Sequence, residues 1–230
     1  QQEPRLTVHY ANQMKLSGAE NAVAQYRDDN ADFHQIVADM ANIPRKQAKT
    51  INLGLSYGMG KEKLIKELGI DDTEAESLFQ QYHANVPFIR ALQDQCARVA
   101  MERGYIKTFA GRHCRFDLWE SRYERTLPLP LDEAKEKYGE DLKRSYTYKA
   151  LNRLIQGSAA DMTKLAMIGL WEEGIVPHLQ VHDEVDISIE NTEQANTVTR
   201  IMENCVELAV PLLVDQELGV SWGETKEIKT

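Results

Sequence analysis

Between residues 12 and 103 apolar side chains recur at steps of three and four, the spacing that gathers them on one helix face. Val23 and Tyr26, then Phe33, Ile36, Val37 and Met40, predict short amphipathic helices. Leu78, Phe79 and Tyr82, followed by Phe88, Leu92, Cys96 and Val99, predict two more. Ile43-Pro44 reads as a helix entry, because proline suits the first turn, and Gly58-Met59-Gly60 as the exit. Near Gly104 the period changes. Residues 105–116, with Ala110-Gly111 at the centre, predict a short hairpin. Residues 131–144 hold five acids and four bases with few apolar groups, so a solvated loop or exposed helix is expected. A helix over about 146–173 follows. Then Leu179, Val181, Val185, Ile187 and Ile189 alternate with polar residues around His182-Asp183-Glu184, which predicts a half-buried hairpin with a charged tip. A helix over about 193–212 and a last short strand complete the pattern. The fold class expected is α+β, a helical part followed by a part with antiparallel strands.

The chain has 230 residues, 42% of them hydrophobic, which is enough to bury a core. No run of about 18 apolar residues occurs and no charged-then-apolar leader opens it, so no membrane partner is expected. Three cysteines, Cys96, Cys114 and Cys205, are too scattered for a disulfide framework or a zinc cluster, and imply a reducing, cytoplasmic interior. The net charge, 27 − 36 = −9, argues against a simple nucleic-acid coat protein, which would be basic. It leaves room for an enzyme with a local basic surface and an acidic metal site.

That local basic surface follows Pro44. Arg45, Lys49, Leu53 and Tyr57 stand four residues apart, and a step of four on an α-helix advances about 6 Å while turning only about 40°. Two cations are followed along one stripe by an apolar group and a ring. Residues 45–66 carry six Lys or Arg and one acid. A helix start also binds anions through free N–H groups and its dipole. A polyphosphate at one end and a stacked base at the other would suit the stripe. A solvated basic face with Tyr57 in the core is the plainer reading, and spacing alone does not separate the two. Gly54 and Gly58 cost about 1 kcal/mol each against Ala inside a helix, which suggests close approach by another surface.

At the other end of the chain, Asp183 and Glu184 sit where the strand alternation breaks. Hard oxygen ligands of this kind suit magnesium. One such pair cannot perform two-metal chemistry alone, because that needs ions about 3.5–4 Å apart and a further carboxylate. An exposed acidic turn is the commoner reading of an isolated Asp-Glu.

Taken together, these residues resemble the family A DNA polymerases, the group of bacterial DNA polymerase I and many phage replicative enzymes. The segment from Arg45 to Gly58 resembles the family's fingers helix, R-x-x-x-K-x-x-x-F/Y-x-x-x-Y-G. Val181-His182-Asp183-Glu184-Val185 resembles its motif C, and Gln1-Gln2-Glu3-Pro4-Arg5 the tail of its motif A, D-Y/F-S-Q-x-E-x-R. Ser17-Gly18, Asp32-Phe33-His34, residues 104–108, Gly111-Arg112 and residues 152–157 match further segments in family order. One such match would be weak, whereas the ordered set is specific.

The resemblance implies three regions: the motif A tail and palm entry at 1–11, helical fingers at 12–103, and a C-terminal palm at 104–230 that carries the motif C hairpin. It implies DNA-directed DNA polymerase activity, with two magnesium ions, deoxynucleoside triphosphates and primer–template DNA as cofactors and partners. Arg45 and Lys49 would grip the triphosphate, with Lys49 beside the α-phosphate as a candidate general acid. His34 would add a phosphate contact, Tyr57 would stack near the templating pair, and Glu3 would exclude a ribose 2′-hydroxyl. Gly58, Asn152, Gln156 and His182 would meet DNA, Gln156 in the minor groove and His182 at the primer end. Asp183 would ligate metal with Glu184 close by. Leu53 departs from the family's Phe or Tyr. Members with Tyr there accept dideoxynucleotides and those with Phe reject them, so Leu is expected to discriminate as Phe does.

The motif A Asp would stand three residues before Gln1. The thumb and that Asp are therefore expected on an N-terminal polymerase fragment, as in a split enzyme of a bacterium or a phage-infected cell. Two alternatives stand beside this reading. A single-subunit RNA polymerase shares a Lys…Tyr-Gly helix and a His-Asp turn, although Glu3 and Glu184 favour the DNA enzyme. The other is a DNA-binding subunit that has lost catalysis.

Overall fold

In the computed structural model, residues 2–28, 32, 34, 35, 38, 43–56 and 59–227 are described, with the backbone alone at 28, 50, 53, 55, 56 and 227. The first element, α1 (Gln2–Gln13), starts earlier than the periodicity suggests. The reason is that it is covered on nearly every side. Every residue from Arg5 to Ala11 is buried, so no polar face marks it in the sequence. Pro4 falls in its first turn, where a missing N–H leaves nothing unpaired.

Helices dominate the first half: α2 (Ala19–Asp28), α3 (Arg45–Ser56), α4 (Lys61–Leu68), α5 (Asp72–Asn85) and α6 (Phe88–Arg103). Their ends carry local signals. Gln47 and Ala48 donate backbone N–H bonds to the Pro44 carbonyl at 2.9 and 3.1 Å, so α3 begins where expected. Asp71 and Glu74 form a reciprocal capping box at the start of α5. Gly104 ends α6 in the left-handed conformation at φ +78°. Phe33, Ile36, Val37 and Met40 lie outside the described residues, so the helix expected there is not addressed. Leu6, Leu64, Leu92 and Ile155 are fully buried, with Tyr26, Tyr82 and Phe88 nearly so, and they link α1, α2, α4, α5, α6 and a later helix in one core. Each large apolar side chain so buried is worth about 1.5–3 kcal/mol.

The second half has the expected antiparallel strands. β1 (Tyr105–Lys107) pairs with β2 (His113–Arg115) in the register Tyr105↔Arg115. Next comes a three-stranded sheet that no sequence signal foretold: β3 (Leu118–Ser121) lies between β4 (Leu129–Pro130) and β5 (Leu142–Arg144). The charged stretch forms α7 (Leu131–Tyr138) and then β5, so it is both exposed helix and strand. A 3-10 turn, Thr147–Lys149, leads into α8 (Ala150–Glu172). The hairpin β6 (Leu179–Val181) and β7 (Glu184–Asp186) follows. Its strands are only three residues long, so Ile187 and Ile189 lie beyond it. The helix expected to reach 212 ends sooner: α9 spans Thr192–Glu203. Asn204 closes it, donating from Nδ2 to the Arg200 carbonyl at 2.7 Å, and Pro211 lies within the stretch that the longer helix would have needed. The last expected strand proves to be a hairpin, β8 (Glu217–Gly219) with β9 (Thr225–Glu227).

Three polar links fasten α1 to distant parts of the chain. The Tyr10 hydroxyl lies 2.6 Å from Ser158 Oγ on α8 and accepts the Phe109 N–H at 3.1 Å. His9 Nδ1 accepts the Ala209 N–H at 3.0 Å. Arg5 donates to the Pro211 carbonyl and lies over the Tyr26 ring, 4.7 Å from its centre. One turn along α8 from Ser158, Arg112 pairs with the buried Asp161 at 2.7 Å.

Candidate nucleotide and metal site

The first turn of α1 separates two groups of candidate residues. On one side, Glu3, Pro4, Thr7 and Val8 share a small cavity of about 20 Å³ with His34, Asn52, Tyr82 and Phe88. On the other, Gln2 and Arg5 line a cleft of about 890 Å³ that also holds Asp183, Glu184, Asp186 and Trp222. Residues 2 and 5 fall on one helix face and 3, 4, 7 and 8 on another, as a 3.6-residue period requires.

His34 is buried at 3% exposure. Its Nδ1 lies 3.1 Å from Asn52 Nδ2 on α3, and the Tyr82 hydroxyl donates to Asn52 Oδ1 at 3.1 Å. The amide donates to Nδ1, so the imidazole is neutral with its proton on Nε2. Burial lowers its pKa, and the cations Arg45 and Lys49 push the same way against the opposing pull of Asp32. Those couplings place Arg45, Lys49 and His34 in one electrostatic neighbourhood.

Arg45 is half exposed and engaged. Its Nε and terminal nitrogen both reach Asp32 Oδ2 at 2.7 Å. Asp32 also accepts the N–H groups of His34 and Gln35 through Oδ1. Burial works to raise the Asp32 carboxyl, but the bonds from Arg45 and those two N–H groups hold it below the usual carboxylate range. Lys49 is exposed and makes no hydrogen bond or ion pair among the described residues. The Leu53 side chain, Tyr57 and Gly58 lie outside the described residues, so the apolar end of the stripe is not addressed. Gly54 is described, and its close neighbour is internal: a Cβ there would meet Met59 Cε at 2.7 Å.

On the cleft side, the turn between β6 and β7 is His182-Asp183. His182 adopts φ +55°, a left-handed conformation that costs a non-glycine residue about 1 kcal/mol or more. Gln180 Nε2 donates to its carbonyl at 2.6 Å and braces the turn. The two acids differ in surroundings. Asp183 at the tip makes no hydrogen bond or ion pair among the described residues, and its oxygens are open. Glu184 begins β7, and its Oε1 accepts the Trp222 indole N–H at 3.2 Å. This pair of hard oxygen donors fits a divalent cation as part of a ligand set. Among the described residues no group of three His, Cys, Asp or Glu side chains completes one. Asn152, half-buried, and Gln156, exposed, stand one turn apart on α8.

The family model for DNA polymerase family A matches residues 1–224. The chain belongs to this family. Of the polymerase classes weighed from the sequence, the match is to the DNA enzymes. This family A chain is 37% identical to a DNA-directed DNA polymerase of Pseudomonas phage M6, over 98% of the chain and 37% of that protein. It is 34% identical to the thermostable DNA polymerase I of Thermus aquaticus, over 92% of the chain and 25% of that protein. It therefore spans well under half the length of these curated relatives. Among solved structures, the POL domain of Pol1 from M. smegmatis, in complex with DNA primer-template and dNTP, superposes with a TM-score of 0.69 at 26% identity. That match covers 92% of this family A chain and 36% of the other.

Sequence reasoning gave no site role to Asp32, named only within a matching segment, or to Trp222. Asp32, thirteen positions before Arg45, pairs with it through a fold that no local pattern encodes. Trp222 reaches Glu184 across 38 positions, again without a local signal.

Proposed function

We propose that the chain forms the fingers and C-terminal palm of a template-directed DNA polymerase, adding deoxynucleoside triphosphates to a primer 3′ end with two magnesium ions. The observation that carries this reading is the placing of two groups on opposite faces of the first turn of α1: Glu3, His34, Arg45 and Lys49 on one side, Asp183 and Glu184 on the other. Residues 1–11 supply the palm entry, 12–103 the fingers and 104–230 the palm. The work of these residues is positioning and charge stabilisation. Arg45 and Lys49 face the triphosphate, and His34 offers the N–H at Nε2 to a phosphate oxygen. Glu3 fills the space of a 2′-hydroxyl. Asn152, Gln156 and His182 align the duplex. Asp183, with Glu184, holds the magnesium ions, which neutralise developing phosphate charge when bound. No described helix is long and apolar enough to cross a membrane. The cytoplasm of a bacterium or a phage-infected cell suits these substrates.

Two neighbouring carboxylates of one hairpin are too few for the ions, and no third His, Cys, Asp or Glu among the described residues joins them as a ligand set, which supports a further carboxylate from polypeptide outside residues 1–230. Exposed apolar side chains on the palm side support that packing: Ile168 (53%), Trp171 (68%), Leu213 (50%) and Val220 (91%). The experiment mixes the 230-residue chain with an N-terminal polymerase fragment bearing the motif A Asp. Magnesium-dependent primer extension is expected from the mixture and not from the chain alone. Asp183→Ala is expected to abolish turnover and leave duplex affinity near wild type, since that affinity comes mainly from phosphate contacts. Robust extension by the chain alone, or by Asp183→Ala, would overturn the assignment.

A further inference from the structure

Asp183 and Glu184 are neighbours in sequence and unequal in space. The Asp183 carboxylate stands open at the turn, whereas Glu184 is tied through Oε1 to the Trp222 indole N–H at 3.2 Å. Trp222 belongs to the 3-10 turn Trp222–Glu224, which joins β8 to β9. That hairpin is locally braced. Thr225 Oγ1 donates to Glu217 Oε2 at 2.7 Å, and Gly219 lies so close to Glu224 that a Cβ would sit 2.1 Å from its carbonyl oxygen. The indole can only donate, and a carboxylate can only accept, so the bond has one sense.

We propose that Trp222 is a positioning residue for Glu184, an assignment that rests on the metal role of the β6–β7 hairpin given above. Its N–H engages Oε1, fixes the carboxylate on the cleft wall and leaves Oε2 free of that bond to turn toward a cation beside Asp183. Because the donor is neutral, the negative charge of Glu184 is kept. The β8–β9 hairpin, remote in sequence, thereby sets the geometry of motif C.

The test uses the 230-residue chain and Mn²⁺ alone, with free ion read by electron paramagnetic resonance. The Asp183-dependent binding is the difference between each protein and the same protein carrying Asp183→Asn. Trp222→Phe keeps a ring and removes the donor, and is expected to weaken that binding about five-fold, the worth of one ordinary hydrogen bond. Trp222→His restores a ring N–H and is expected to recover part of the loss. In the wild-type chain, Glu184→Ala is expected to shift the indole N–H resonance of Trp222, a readout that survives if a tryptophan variant fails to fold. Unchanged binding in Trp222→Phe, equal losses in both tryptophan variants, or an unmoved indole resonance would each overturn the proposal. If Asp183→Asn itself changes nothing, the metal reading beneath it is the one that fails.

Discussion

Lys49 and Arg45 share a helix face but not a situation. Lys49 is exposed and unpaired among the described residues, whereas Arg45 is already held by Asp32 at 2.7 Å. Among the described residues, a phosphate bond from Lys49 has no internal partner to displace. In the complemented enzyme, Lys49→Ala is expected to slow turnover by roughly 10- to 150-fold, the worth of a charge-assisted bond of about 1.5–3 kcal/mol. Arg45→Ala is expected to raise the nucleotide KM more than it lowers kcat. Steady-state kinetics separate the two, and near-neutral effects for both would mean that the stripe faces solvent. Leu53 follows Lys49 by one turn. Leu53→Tyr supplies a hydroxyl, and is expected to raise the efficiency ratio for dideoxy- over deoxynucleotides by roughly 5- to 150-fold, about 1–3 kcal/mol. An unchanged ratio would require the register of α3 to be redrawn. The placing of Arg45 and Lys49 along one stretch of α3 was legible because a helix repeats every few residues, while their roles came from the family resemblance. The ion pair with Asp32, the buried chain His34–Asn52–Tyr82 and the Trp222 bond were not, because tertiary folding alone brings those partners together.

At the scale of elements, the ends were easier to read than the extents. Pro44 and Gly104 mark boundaries through their own backbone chemistry, and the structure uses both, whereas the Asp71–Glu74 capping box was not read from the sequence. By contrast, α1 is buried on nearly every side and shows no amphipathic period. The β3–β4–β5 sheet uses strands of two to four residues, too short for alternation to register. Because the capping box of α5 is local and remote from the candidate site, its loss should touch stability alone. Asp71→Ala is expected to cost about 1 kcal/mol, a fall in Tm of about 2–4 °C for a chain of this size. Thermal unfolding followed by circular dichroism checks it, with primer-extension rate in the complemented enzyme unchanged.

For the whole molecule, burial lowers the pKa values of His9, His34 and His83 below the usual histidine value. The sign follows from linkage. Above about pH 6.5 these rings are neutral in both folded and unfolded chains, and their contribution is complete. As pH falls through that value, the unfolded chain takes up protons that the folded one refuses, so stability is lost until the depressed folded pKa is passed. Denaturant midpoints are therefore expected to drop between about pH 7 and 5. His9→Gln, which does not titrate there, should flatten the drop while lowering stability at pH 7. A midpoint that rose on acidification would show that these imidazoles are not buried neutral.

The fastening of α1 has a consequence for how the protein is made. Arg5, His9 and Tyr10 find their partners 206, 200 and 148 positions later. A ribosome that has just released α1 soon releases α2 to pack on it, but none of these three polar partners. Those bonds must wait until α8 and the stretch near residue 210 emerge. The polar fastening of α1 is thus completed only after most of the sequence that follows it, and the interval between is when a chaperone has most to bind.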